Sequence, residues 1–202
     1  MLKVNIITVT YNSSEHIKDC VESVNAQSYK NISHIFIDGN STDNTQLIIE
    51  TYSNRKCVII SEEDDGIYDA LNKGIKYCKE GLVFILHSDD ILAGSEVVSS
   101  IVQQAKNIAN CKIFYTDIAF CKRDDTSMVT RSWKSSLYSR RGLDKGWHIP
   151  HPGFVAWKEV YNIVGEFNTA YRVASDYDFM TRCFQKYGDE SLYIELTSVY
   201  FR

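Results

Sequence analysis

Six cysteines occur, at 20, 57, 78, 111, 121 and 183, but no two form a Cys-x-x-Cys pair. That spacing excludes a zinc knuckle and a dithiol redox motif. No apolar run approaches the length needed to cross a membrane. The N-terminus, MLKVNIITVTYN, lacks the charged-then-apolar layout of a signal peptide, and its apolar part reads as a strand. A Walker phosphate loop, a GxGxxG loop and a nucleophile-elbow serine are all missing. Those absences count against ATPase, dehydrogenase and serine-hydrolase chemistry. Only two prolines occur, Pro150 and Pro152, and they stand together. A net charge of -4 gives no footprint for nucleic acid. The expected compartment is a reducing cytoplasm.

The 202 residues, 44% of them hydrophobic, suffice for one domain with a real core. Charge is uneven. Phe120–Lys145 holds seven Lys or Arg against three Asp, a local +4 that leaves -8 on the remainder. Such a stretch suits a phosphate-rich ligand or the inner face of a membrane, and equally a solvated loop. Peripheral membrane contact and a homo-oligomer therefore stay open.

Strand and helix patterns alternate through the first half. Lys3–Val9 is apolar and β-branched, and Asn12 with Glu15 predicts a capping box. Ile17, Cys20, Val21 and Val24 then recur at helical spacing. Further strands are predicted at 32–37, 57–60, 82–86 and 112–120, with helices at 45–52, 67–78 and 97–105. This alternation predicts an α/β fold, a Rossmann-like, mainly parallel (mixed) sheet flanked by helices. In such sheets ligands bind beyond the carboxyl ends of the strands. Thr8–Asn12, Asp38–Asp43, Glu62–Tyr68 and His87–Asp90 should then share one rim. The second half is less regular: a strand at 128–133, a long loop at 134–150 and a helix from Ser175 or Asp176. No second domain is evident.

Asp89 and Asp90 are the sharpest chemical feature. Adjacent carboxylates after a buried strand are costly unless solvated or bound to a cation. Mg²⁺ and Mn²⁺ are typically held by one or two carboxylates plus ligand phosphate oxygens; a helix cap or turn is the bland alternative. Asp38 suits a base or ribose, or an Asx-turn. Tyr11 suits base stacking at the end of the first strand. Gly74 suits close packing on the sheet, and Lys73 is either a phosphate contact or a solvated lysine. His148 and His151 lack the neighbours of a zinc site but could meet acceptor or phosphate. Asp176 is either a helix cap or a general base.

Five segments in order resemble the family 2 glycosyltransferases of the GT-A fold. They are Val4–Asn12, Ile37–Thr45, Asp65–Gly74, Ser88–Asp90 and Ala174–Arg182. The resemblance implies a single GT-A domain over 1–202, its nucleotide-sugar-binding half at 1–120 and its acceptor-binding half at 121–202. It implies inverting transfer from a nucleoside-diphosphate sugar, often UDP-linked, to the hydroxyl of a saccharide or lipid-linked saccharide, as in surface-polysaccharide synthesis. Thr8 and Asp38 would hold the nucleoside, with Tyr11, Asp65 and Asn72 also on the donor side. Asp89 would meet ribose or sugar, Asp90 would ligate Mn²⁺ or Mg²⁺, and Asp176 would be the general base. One departure is that Ser88 leaves only Asp89-Asp90 where the family often has Asp-x-Asp. The rival readings are a non-catalytic nucleotide-sugar-binding subunit and a sugar nucleotidyltransferase.

Overall fold

A computed structural model describes residues 1–202. Four strands form its first half: β1 (Val4–Thr10), β2 (Ile32–Asp38), β3 (Cys57–Ser61) and β4 (Leu82–Ile85). Between them run α1 (Ile17–Asn25), α2 (Thr45–Tyr52) and α3 (Ile67–Tyr77). All pairings among these strands are parallel, in the order β3-β2-β1-β4.

The second half adds β5 (Ile91–Leu92), α4 (Val97–Asn107), β6 (Ile113–Lys122) and β7 (Asp125–Trp133). Then come α5 (Arg140–Leu143), a 3-10 turn at His151–Gly153, β8 (Phe154–Trp157), α6 (Lys158–Val164), α7 (Ser175–Tyr187) and β9 (Ser191–Phe201). β8 joins β4 to β6, antiparallel to both. β6 pairs parallel with β9 and antiparallel with β7. One sheet thus runs through the whole chain, and β6 passes without a break through residue 120. No helix is long and apolar enough to cross a membrane.

Alternation along the buried strands sorts the core. Val4, Ile6, Phe36, Phe84 and Leu86 pack with α1 and α4 on one face. Ile7, Val9, Ile35, Ile37, Val83 and Ile85 pack with α3 and α7 on the other. A strand buried on both faces reads as a near-continuous apolar run, which explains the unbroken run in β4 and the mostly apolar β1. Gly74 lets α3 press on this second face. A Cβ there would lie 2.6 Å from Ile7 Cγ2, closer than carbon atoms can pack.

Three local expectations change. Asn12 does not cap α1; it sits at φ 47° and its Oδ1 accepts from Thr42 N–H. The turn leading into α1 closes on Ser13 instead, whose carbonyl accepts from Ile17 N–H. Lys73 is spoken for by Glu62 and Asp69, each 3.2 Å away. The 134–150 stretch contains α5 and packs through Trp147 on Tyr115 and Phe184, so it is an ordered part of the core edge. Cys20 and Cys78 are buried as expected, while Cys57 is only partly covered.

Candidate active site

The segments expected on one rim do meet. Gly39 N–H donates to Thr10 O, Glu62 N–H to Asp38 O, and Asn12 N–H to Ser41 Oγ. Ser13 and Ser88 hydroxyls are 3.0 Å apart. Beside this rim opens a cavity of about 610 Å³, a size suited to a nucleotide-like ligand. The strand-end side contributes Val9, Tyr11, Asp64, His87 and Asp89; the later half contributes His151, Pro152, Asp176 and Phe201. Asp64, Asp89 and Asp176 line it, and no Lys or Arg does.

Asp89 faces this space, partly exposed. Asp90 does not line it. Its side chain is fully buried, Oδ1 accepting from Arg202 N–H at 3.2 Å and Oδ2 having no partner. Burial first, then the charge of Asp89, pushes the Asp90 carboxyl up to about 8. A buried carboxylate oxygen without a donor is expensive. A hard cation beside it would relieve that cost, so the paired carboxylates fit a divalent metal by donor type and by this orphaned atom.

Asp176 opens α7, where the helix dipole favours a carboxylate. Ala174, just before the helix, holds a left-handed φ of 68°. That is a strained conformation for a residue with a side chain, of the kind functional sites retain. Asp176 Oδ1 accepts from Tyr68 Oη at 3.2 Å. Its Oδ2 lies 3.9 Å from His151 Nδ1, beyond direct bonding. The His151 and His87 rings lie 5.7 Å apart. Burial lowers both imidazoles, His151 to about 4, despite the opposing pull of nearby carboxylates. Both rings are therefore neutral near pH 7 and add no positive charge to the wall.

Other expected site residues lie elsewhere. Thr8 falls on the face covered by α1, and its hydroxyl bonds His34 Nε2 at 2.9 Å. Asp38 is fully buried. Burial alone would raise its carboxyl, but bonds from Ser41, Ser61 and Thr10 outweigh that and hold it below the usual range. It organises the rim rather than facing the cavity. Asn72 clamps a loop: Nδ2 donates to Phe167 O and Oδ1 accepts from Phe167 N–H, both at 2.9 Å. Asp65 is exposed and outside the cavity. The adjacent Asp64 takes the wall position, its Oδ1 accepting from Gly66 N–H in an Asx-turn. His148 is exposed, between Trp133 and Tyr177, while His151 lines the cavity. Asp178 pairs with Arg182 at 2.9 Å.

Residues missed from sequence are Asp64, Tyr68 and Phe201. The acidic run at 62–65 gives no means of choosing which carboxylate turns inward, though Asp-x-Gly at 64–66 is an Asx-turn signal. Tyr68 carried none.

Residues 5–162 match Glycosyl transferase family 2. A PGL/p-HBAD biosynthesis glycosyltransferase of Mycobacterium tuberculosis is 25% identical over 183 residues, covering 89% of this chain and 69% of that protein. Glycosyltransferase GlyG of Streptococcus pneumoniae is 31% identical over 106 residues, 51% of this chain and 35% of GlyG. Among solved structures, S. aureus TarS 1-349 in complex with UDP superposes with a TM-score of 0.79 at 17% identity, over 98% of this chain and 60% of that one. Glucosyl-3-phosphoglycerate synthase of Mycobacterium tuberculosis, in complex with Mn²⁺, UDP and glucosyl-3-phosphoglycerate, gives 0.70 at 17%, over 100% of this chain and 72% of that one. The chain thus spans about 60% of the TarS fragment.

Proposed function

The chain belongs to glycosyl transferase family 2 and has the GT-A fold, and we propose that it transfers a sugar from a nucleoside-diphosphate sugar, UDP-linked, to a saccharide or lipid-linked hydroxyl with inversion. The observation that carries this reading is the wall itself: three carboxylates, two neutral imidazoles and no fixed cation. A diphosphate entering alone would be repelled. Entering with a divalent ion it meets the complementary charge. The fold relatives solved with UDP, and with Mn²⁺ and UDP, support the pairing.

In this reading the Asp89–Asp90 pair would hold Mn²⁺ or Mg²⁺, with the unpartnered Asp90 Oδ2 as a candidate donor. Such an ion supplies countercharge to the departing diphosphate. Tyr11, at the cavity mouth and largely exposed, offers a face to the base. Asp64 stands beside it across Gly39: a Cβ on Gly39 would lie 2.7 Å from Asp64 Oδ2 and 3.4 Å from the Tyr11 ring. Asp89 faces ribose or sugar. Asp176, on the far wall, takes the acceptor's proton as its oxygen attacks the anomeric carbon. Cys20, Cys78 and Cys183 are fully protonated, since burial raises each thiol far above its usual range, so no thiolate competes as nucleophile.

The test is transfer from a panel of UDP-, GDP- and dTDP-sugars to lipid-linked and free saccharides, with and without Mn²⁺, in wild type and Asp176→Asn. Metal-dependent transfer with inverted anomeric configuration is expected. A retained configuration, or no turnover with any pair, would contradict the reading.

A further inference from the structure

Tyr68 belongs to α3, Asp176 to α7, and 108 residues separate them. Their hydrogen bond is the one direct side-chain bond the Asp176 carboxylate receives, and it occupies Oδ1. One hydroxyl on α3 thus reaches the first carboxylate of α7. The phenol ring is itself fixed. It stacks on Phe167 with centroids 6.0 Å apart, and Phe167 is held at both its N–H and its C=O by Asn72. Asn72 and Tyr68 both lie on α3, so one helix carries both the phenol and the residue that fixes its stacking partner. Burial and the neighbouring Asp176 raise the Tyr68 phenol above its ordinary value, so it remains a donor through the neutral range.

On the other side, Oδ2 has His151 Nδ1 at 3.9 Å and no bonded donor. The two carboxylate oxygens are thus unlike: one occupied, one free.

We propose that Tyr68 is a positioning residue for the reaction, holding Asp176 Oδ1 so that Oδ2 is the oxygen presented to the acceptor hydroxyl. This rests on the reading of Asp176 as the base. In the step the acceptor O–H bond breaks, its proton passes to Asp176 Oδ2, and the electron pair left on oxygen forms the bond to the anomeric carbon. The glycosidic pair departs with the diphosphate. A carboxylate free to rotate would spend time in rotamers that miss the proton, and small misplacements of catalytic groups are costly in rate.

The test is Tyr68→Phe in the whole chain. This variant keeps the ring and its Phe167 contact and removes only the hydroxyl. The expected result is a kcat about tenfold or more lower, the size of one hydrogen bond to a charged group, with the Kd for UDP plus Mn²⁺ unchanged and the melting temperature lowered only slightly. A kcat equal to wild type in Tyr68→Phe, with Asp176→Asn inactive, overturns this inference alone. Wild-type transfer in Asp176→Asn overturns the base assignment beneath it.

Discussion

The cavity is built from two kinds of structure. Val9–Ser13, Asp64–Leu71 and His87–Asp89 reach it as the ends of parallel strands or as the turns and helix that follow them. His151, Pro152, Asp176 and Phe201 reach it from a 3-10 turn, the first turn of a helix and the end of a strand that joins the sheet late. The first group is placed by a general property of parallel sheets. The second is placed by particular contacts: Tyr68 to Asp176, Asn72 to Phe167, Ala174 in its left-handed turn. In the proposed reading, the donor surface comes from the regular half and the base from the irregular one. The two should fail in different ways when altered.

The largest difference is expected at Asp176. Asp176→Asn should lower transfer about 10²–10⁴-fold, as loss of a general base does, while calorimetry shows UDP binding with Mn²⁺ unchanged. Equal loss of binding would erase the distinction between the halves. Behind Asp89, Asp90→Asn should weaken UDP binding in Mn²⁺ by at least about tenfold, since perturbing a metal's carboxylate support costs that much or more.

Asp90 also gives a pH signature. Its folded pKa, about 8, lies above the unfolded carboxylate value. The stability it confers is therefore fully present when the carboxyl is protonated, below the unfolded value, and is lost as pH rises through about 8. Melting of the metal-free protein should fall across that window, and Asp90→Asn should flatten the fall. Mn²⁺ should raise the wild-type melting temperature at pH 8 and leave that of Asp90→Asn unmoved.

Smaller effects should map the clamps. Asn72→Ala strands both backbone groups of Phe167 and should cost about 1–3 kcal/mol in denaturant melts. Thr8→Val removes a bond to a buried histidine, not a donor contact. It should cost about 1 kcal/mol and leave UDP affinity as it was. A large loss of affinity there would return Thr8 to the binding surface.

The same division governs what the sequence discloses. Strands such as 82–85, buried on both faces, are unbroken apolar runs, and helices α1 and α3 carry clear periodicity, so the first half and its rim are legible. β5 spans two residues, too short to show a period, and β8, no longer than β4, enters between β4 and β6 outside the strand–helix alternation. β9 is mostly half-buried and pairs with the distant β6 and β5, so its neighbours, not its pattern, define it. Among cavity-lining residues, the positions of Asp89 and Asp176 are legible because one follows a buried strand and the other begins a helix. Asp64 could not be separated from Asp65 because a one-residue change in a turn decides which faces inward. Thr8, Asp38 and Asn72 belong to the right segments, but their side chains are consumed by the scaffold.

The most direct measurement is calorimetric titration of UDP into the wild-type protein at pH 7, once with Mn²⁺ and once with EDTA. A cavity walled by Asp64, Asp89 and Asp176 without a lysine or arginine predicts binding with the ion and none detectable without it. Equal affinity in EDTA would contradict the account, because the diphosphate would then be held by something other than a cation on the Asp89–Asp90 pair.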